Sequence, residues 1–292
     1  MIWSRPIMAL MGQDQALADM VDGYLFIAAW GIFPALMVMV LKSYLAALER
    51  TQVVLWITLL AGVANVLANY AFIFGNWGAP ELGVRGAAIA SVTSHSVSLV
   101  AVVVYVLWKM PQHQMFVRLW RPDWEMLARV FRLGLPIGFT GLSEVGLFAA
   151  SAVMMGWLGT VALAAHGIAL QLASITFMVH LGISNVATIR AGNAYGRRDP
   201  AHLARGAIMA TVMSALVAVV TVFVFVMWPE PLINLFMQRD EPAREQILAI
   251  GVALLAMASL FQLVDGAQAV ALGILRGVQD TTVPMILAGF SY

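Results

Sequence analysis

Apolar residues in this chain gather into long continuous runs separated by short polar connections, with neither strict alternation nor a narrow apolar stripe. A helix needs about 20 predominantly apolar residues to cross the hydrocarbon core of a bilayer. Runs of that length cover residues 24–48, 53–74, 86–108, 133–158, 164–189, 204–228 and 247–275, and an eighth opens near Val283. Their continuity predicts helices rather than a β-barrel, whose strands read as alternating segments of about ten residues. Pro34, Gly134, Pro136 and Gly138 fall inside the runs, which membrane helices tolerate where neighbours satisfy the freed carbonyls. The expected fold class is all-α, a polytopic membrane helix bundle.

Composition narrows the classes further. Hydrophobic residues make up 62% of the 292 and charged residues 11%, against about 45–50% and 25% in a soluble globule. So little charge cannot cover a soluble surface, and the lipid bilayer is the implied partner. A net charge of +1, with no basic block interleaved with aromatics, carries no signal for nucleic acid, and no such partner is expected. The absence of Cys removes disulfides, thiolate chemistry and Cys-ligated zinc. Of the 16 Lys and Arg, 12 fall at one alternate set of helix ends, while Arg5, Arg85, Arg239 and Arg244 fall at the other. The positive-inside rule places the larger set in the cytoplasm.

Two pairs of segments echo each other. Residues 5–14 (RPIMALMGQD) resemble 230–240 (EPLINLFMQRD), and residues 44–51 (YLAALERT) parallel 274–281 (ILRGVQDT). The shared order and similar offset point to an internal repeat, a common way to build transporters. From the phase of that repeat the chain is expected to be a window from a protein of about 450 residues and twelve spans, truncated at both ends. The domains expected are part of an N-terminal lobe at 1–109, a cytoplasmic connection at 110–132 and part of a C-terminal lobe at 133–292.

Among 15 Asp and Glu, only Glu144 and Asp265 lie well inside a predicted span. A charge at mid-bilayer costs about 2.5–3.5 kcal/mol on insertion scales, which marks such acids as functional candidates. Gln262 and Gln268 flank Asp265 at i−3 and i+3, and Asn65 and Asn69 make a second polar stripe at i, i+4. These amides serve equally as interhelical glue. His166 and His180 share one span but stand about 20 Å apart, too far to ligate one metal. His95 reads as a packed residue among small neighbours, and Gly83 to Gly86 as a helix-packing loop. Walker A, HExxH, nucleophile-elbow and dinucleotide-turn patterns are all missing, so neither an enzyme nor a cofactor is expected.

The spaced motifs LGLPIG (133–138), LSEV (142–145), MGWLGT (155–160), LAAH (163–166), FMVHLGIS (177–184), FQLVD (261–265) and GILRG (273–277), with Asp280, Pro284, NYAFIFG (69–75) and Gly83, resemble the multidrug and toxic compound extrusion (MATE) family. The resemblance covers essentially the whole chain, from about helix 3 to helix 11. It implies two pseudo-symmetric six-helix lobes around a cavity, in a multi-pass protein of the cell inner membrane. Small-molecule organic cations would be exported in exchange for a coupling ion, Na+ or H+. By position, Glu144 and Asp265 match the family's C-lobe acids for binding the cation or substrate, including a Na+ ion, while Asn65 and Asn69 match polar N-lobe positions. Asn69 stands where some relatives carry Asp, which favours sodium over a proton. A monomer is the expected state. Competing classes are a lipid-linked-oligosaccharide flippase of the same superfamily, which would want basic residues in its cavity, and a non-transporting receptor or scaffold, which would need no buried carboxylates.

Overall fold

The computed structural model describes residues 15–117, 121–237 and 241–291, and no strand occurs among them. The main helices are α1 (Gln15–Ala47), α2 (Thr51–Phe74), α3 (Val84–Lys109), α4 (Trp124–Trp157), α5 (Thr160–Gly196), α6 (Pro200–Met227), the short α7 (Pro229–Asn234), α8 (Arg244–Gly277) and α9 (Thr282–Ser291). Seven of these are long and apolar enough to cross a membrane, matching the seven runs expected from the sequence. The chain divides into two compact units, Met1–Trp120 and Arg121–Tyr292.

Most helices outrun their apolar windows. The 37 residues of α5 rise about 55 Å, well beyond a hydrocarbon core of about 30 Å. Their polar ends project where charge is solvated, so the helix continues after the apolar signal stops. The connection expected at 110–132 is accordingly helical from Trp124 onward. Asp123 caps that helix, its carboxylate accepting from the Met126 amide at 3.0 Å, and Asp199 caps α6 through the His202 amide at 2.9 Å.

One pair of repeat segments can be compared directly. After α1, the amides of Leu48, Glu49 and Arg50 donate to the carbonyls of Tyr44, Ala46 and Leu45; after α8, those of Val278, Gln279 and Asp280 donate to Ile274, Arg276 and Leu275. The patterns correspond residue for residue, with Glu49 and Gln279 both at positive φ (62° and 66°). A similar αL stop ends α5 at Arg198, so the geometry is a general helix terminus; sequence match and offset are what tie the first two together. The other pair, residues 5–14 against 230–240, falls largely outside the described residues.

In the first unit, Leu41, Leu45, Ile57, Val102, Val106 and Met110 form the core, with Met115 and Phe116 packed on it. The Tyr44 hydroxyl and His113 Nδ1 lie 2.7 Å apart, tying the segment after α3 to α1. Gly86 packs its Cα face onto the backbone of Phe72 and Ile73, leaving no room for a side chain, as expected of a packing loop. His95 departs from expectation: it is exposed on α3, its turn of helix carrying it away from the small residues around it in sequence.

The second unit is held by a seam between α5 and α8. Ser184 Oγ donates to the Ala269 carbonyl at 2.6 Å, and Thr188 Oγ1 to the Gly273 carbonyl at 2.8 Å. One step along, His180 Nδ1 pairs with Ser214 Oγ of α6 at 2.7 Å, and that hydroxyl also reaches the Gly266 carbonyl at 3.2 Å. Small residues and hydroxyls are what let membrane helices approach closely where the hydrophobic effect offers no gain. Outward faces carry the large apolar residues, such as Val219, Val220 and Phe223 of α6, as a lipid-facing surface requires.

Candidate functional site

Three helices of the second unit enclose a cavity of about 330 Å³. Each contributes one stripe at helical spacing: Glu144, Leu147, Phe148 and Ser151 from α4; His166, Ala169, Ala173 and Phe177 from α5; Leu254, Met257, Phe261, Gln262 and Asp265 from α8. The wall is mainly apolar and aromatic. Phe148 and Phe261 meet edge to face across it, with ring centroids 6.4 Å apart at 88°.

Glu144 and Asp265 therefore do come together, from helices about 120 residues apart in sequence. Both border the same space. Asp265 is 8% exposed and Glu144 half-buried. Two carboxyl groups in an apolar enclosure favour a positive occupant, because its charge offsets both their desolvation and their mutual repulsion. Lys and Arg are missing from the described lining.

Gln262 also lines the cavity at 1% exposure. Gln268, expected on the same polar face, is not among the lining residues. Lining residues on α8 run from Leu254 to Asp265, so Gln268, about 4.5 Å further along the helix axis, lies past the end of that wall. Asn65 and Asn69 belong to the first unit, where Asn69 Nδ2 donates to Asn65 Oδ1 at 2.9 Å; the two amides partly satisfy each other within one helix. Among the described residues, no group of three or more His, Asp or Glu is gathered as a metal centre.

The two histidines of α5 meet different surroundings. His180 is fully buried in the seam, whereas His166 lines the cavity. Lining residues on α5 run from His166 to Met178, so His180, about 21 Å along the axis from His166, lies past the end of the cavity. The cavity role of His166 was missed, although its spacing of 11 to Phe177 on the same stripe was there to be read.

A family model described as MatE matches residues 1–71 and 136–292. The chain belongs to the MATE family. It is 42% identical over 294 residues to a protein of Rhizobium meliloti named probable multidrug resistance protein NorM, covering 100% of this chain and 63% of that one. A protein of the same name from Agrobacterium fabrum is 43% identical, covering 98% and 62%. A solved structure described as the outward-facing conformation of a multidrug resistance MATE family transporter superposes with a TM-score of 0.83 at 19% identity, over 98% of this chain and 63% of that one. The chain thus spans somewhat under two thirds of the length of these MATE relatives. The all-helical polytopic fold and the multi-pass inner-membrane location agree with the sequence expectation.

Proposed function

We propose that this MATE chain serves a secondary antiporter, not an enzyme, which exports amphipathic organic cations in exchange for a coupling ion, Na+ or H+. The observation that carries the proposal is the pairing of Glu144 and Asp265 as the charged lining of an otherwise apolar, aromatic cavity. Such a surface accepts an apolar body and rewards one positive charge. Cation and coupling ion compete for the same two carboxyl groups, so arrival of one weakens the other. That competition is what exchange requires, provided the protein alternates between inward- and outward-open states. Both ions are cargo at this site; sodium is favoured because Asn69 occupies the N-lobe position where some relatives carry Asp. The lack of basic residues in the described lining speaks against a flippase for anionic lipid-linked sugars.

The test is efflux from vesicles bearing the full-length protein, with sodium and pH gradients imposed separately. One of the two gradients drives cation export. Glu144→Gln and Asp265→Asn keep size and hydrogen bonding while removing charge, and each abolishes that coupling with insertion intact. Near wild-type export by both variants would sink the proposal.

A further inference from the structure

The cavity makes a second, uncharged demand. Gln262 Nε2 and His166 Nε2 are both buried and find no hydrogen-bond partner among the described residues, yet both side chains line the cavity. More than nine in ten buried polar groups in native proteins are paired. Two other atoms share the condition, Ser98 Oγ and His180 Nε2. Ser98 belongs to the other unit and His180 is sealed in the helix seam, so neither borders this space. At Gln262 and His166 the unmet groups belong to side chains that line the cavity.

Their chemistry differs from that of the acids beside them. An amide NH2 only donates, and the imidazole Nε2 donates when it carries the ring proton. In that form neither is met by the positive charge that Glu144 and Asp265 favour. Gln262 precedes Asp265 by three residues, so the two residues are about 4.5 Å apart along the helix axis. Phe261, paired edge to face with Phe148, lines the same cavity.

We infer that Gln262 and His166 form a neutral hydrogen-bonding subsite beside the carboxyl pair, so that the preferred cargo is an amphipathic cation that also carries a hydrogen-bond acceptor, such as a carbonyl oxygen, on its apolar body. This rests on the cavity being a cation site. Cargo that brings an acceptor satisfies these nitrogens; cargo without one leaves them unpaired, and affinity falls. A site with buried donors therefore discriminates against an isosteric analogue lacking the acceptor.

The experiment uses two triphenylphosphonium cations of matched shape, one bearing a para-acetylphenyl group and the other a para-isopropylphenyl group. Efflux of each is measured in vesicles bearing the full-length protein, and the ratio of half-saturating concentrations is taken within each variant, so that protein level cancels. The wild type favours the acetyl cation by about tenfold, the worth of one good hydrogen bond. Gln262→Met and His166→Phe each lower the ratio, and the double variant brings it to about one. Equal handling of the two cations by the wild type would overturn the subsite while leaving the cation site standing. A wild-type preference that survives in both His166→Phe and Gln262→Met would overturn the assignment to these residues. No efflux of either cation would overturn the cation site and the subsite together.

Discussion

The imidazole of His180 occupies the space that a side chain at position 266 would need: a Cβ on Gly266 would stand 2.7 Å from the ring Nδ1. That nitrogen is already engaged by Ser214 at 2.7 Å, so three helices meet one residue away from Asp265. Gly266→Ala must push the ring off its partner or part α5 from α8. Overpacking of this kind costs about 1–3 kcal/mol, and the thermal midpoint of the purified protein should fall accordingly. Adding His180→Ala removes the clash, so the double variant should lose less than the sum of its singles.

The hydroxyl bonds further along the seam should matter less individually. Ser184→Ala and Thr188→Val remove the donors to Ala269 and Gly273 without adding bulk. Interhelical hydrogen bonds in membranes average about 0.6 kcal/mol by double-mutant cycles. Each variant is expected to lower stability by about that amount, less than Gly266→Ala does. Unfolding of the three variants in one detergent gives the ranking.

Orientation can be read by labelling, since the chain contains no Cys. Single Cys substitutions at Gln114 and Glu230, both exposed, report opposite faces of the membrane under the positive-inside assignment. Gln114→Cys should react with an impermeant maleimide only after permeabilisation, and Glu230→Cys should react in intact cells. The reverse pattern would invert the topology.

Tyr44 and His113 offer a local test. Tyr44→Phe keeps the ring contact, 5.9 Å between centroids, and deletes only the hydroxyl. The expected loss is about 1 kcal/mol, confined to the segment after α3. Hydrogen exchange should accelerate over residues 110–117 and remain unchanged in the middle of α1.

Helix identity and number were legible along the chain because a bilayer core leaves few choices. Every backbone group must be satisfied within its own segment, so a continuous apolar run of sufficient length becomes a helix. The ends were less legible. At Trp124 and Gly196 the helices continue into water, where capping by Asp123 and the αL stop at Arg198 decide the terminus instead of hydropathy. Glu144 and Asp265 stood out for the same reason that the runs did, since a carboxyl within one is expensive unless used.

What neighbours each polar residue was decided only in three dimensions. Gln262 and Gln268 are symmetric about Asp265 in sequence, but the cavity wall on α8 ends at Asp265, so only the first lies on it. His166 and His180 lie on similar apolar stretches of one helix; about 21 Å of rise separates them, and the cavity ends between them, leaving the second against Ser214 and Gly266. The sequence by itself determined which segments cross the membrane and which acids would be costly there, because both follow from the transfer energy of a segment into lipid. Tertiary packing decided which amide, imidazole or hydroxyl meets a partner and which lines the cavity, because that depends on where three helices diverge and close along their lengths, a quantity that no single helix carries.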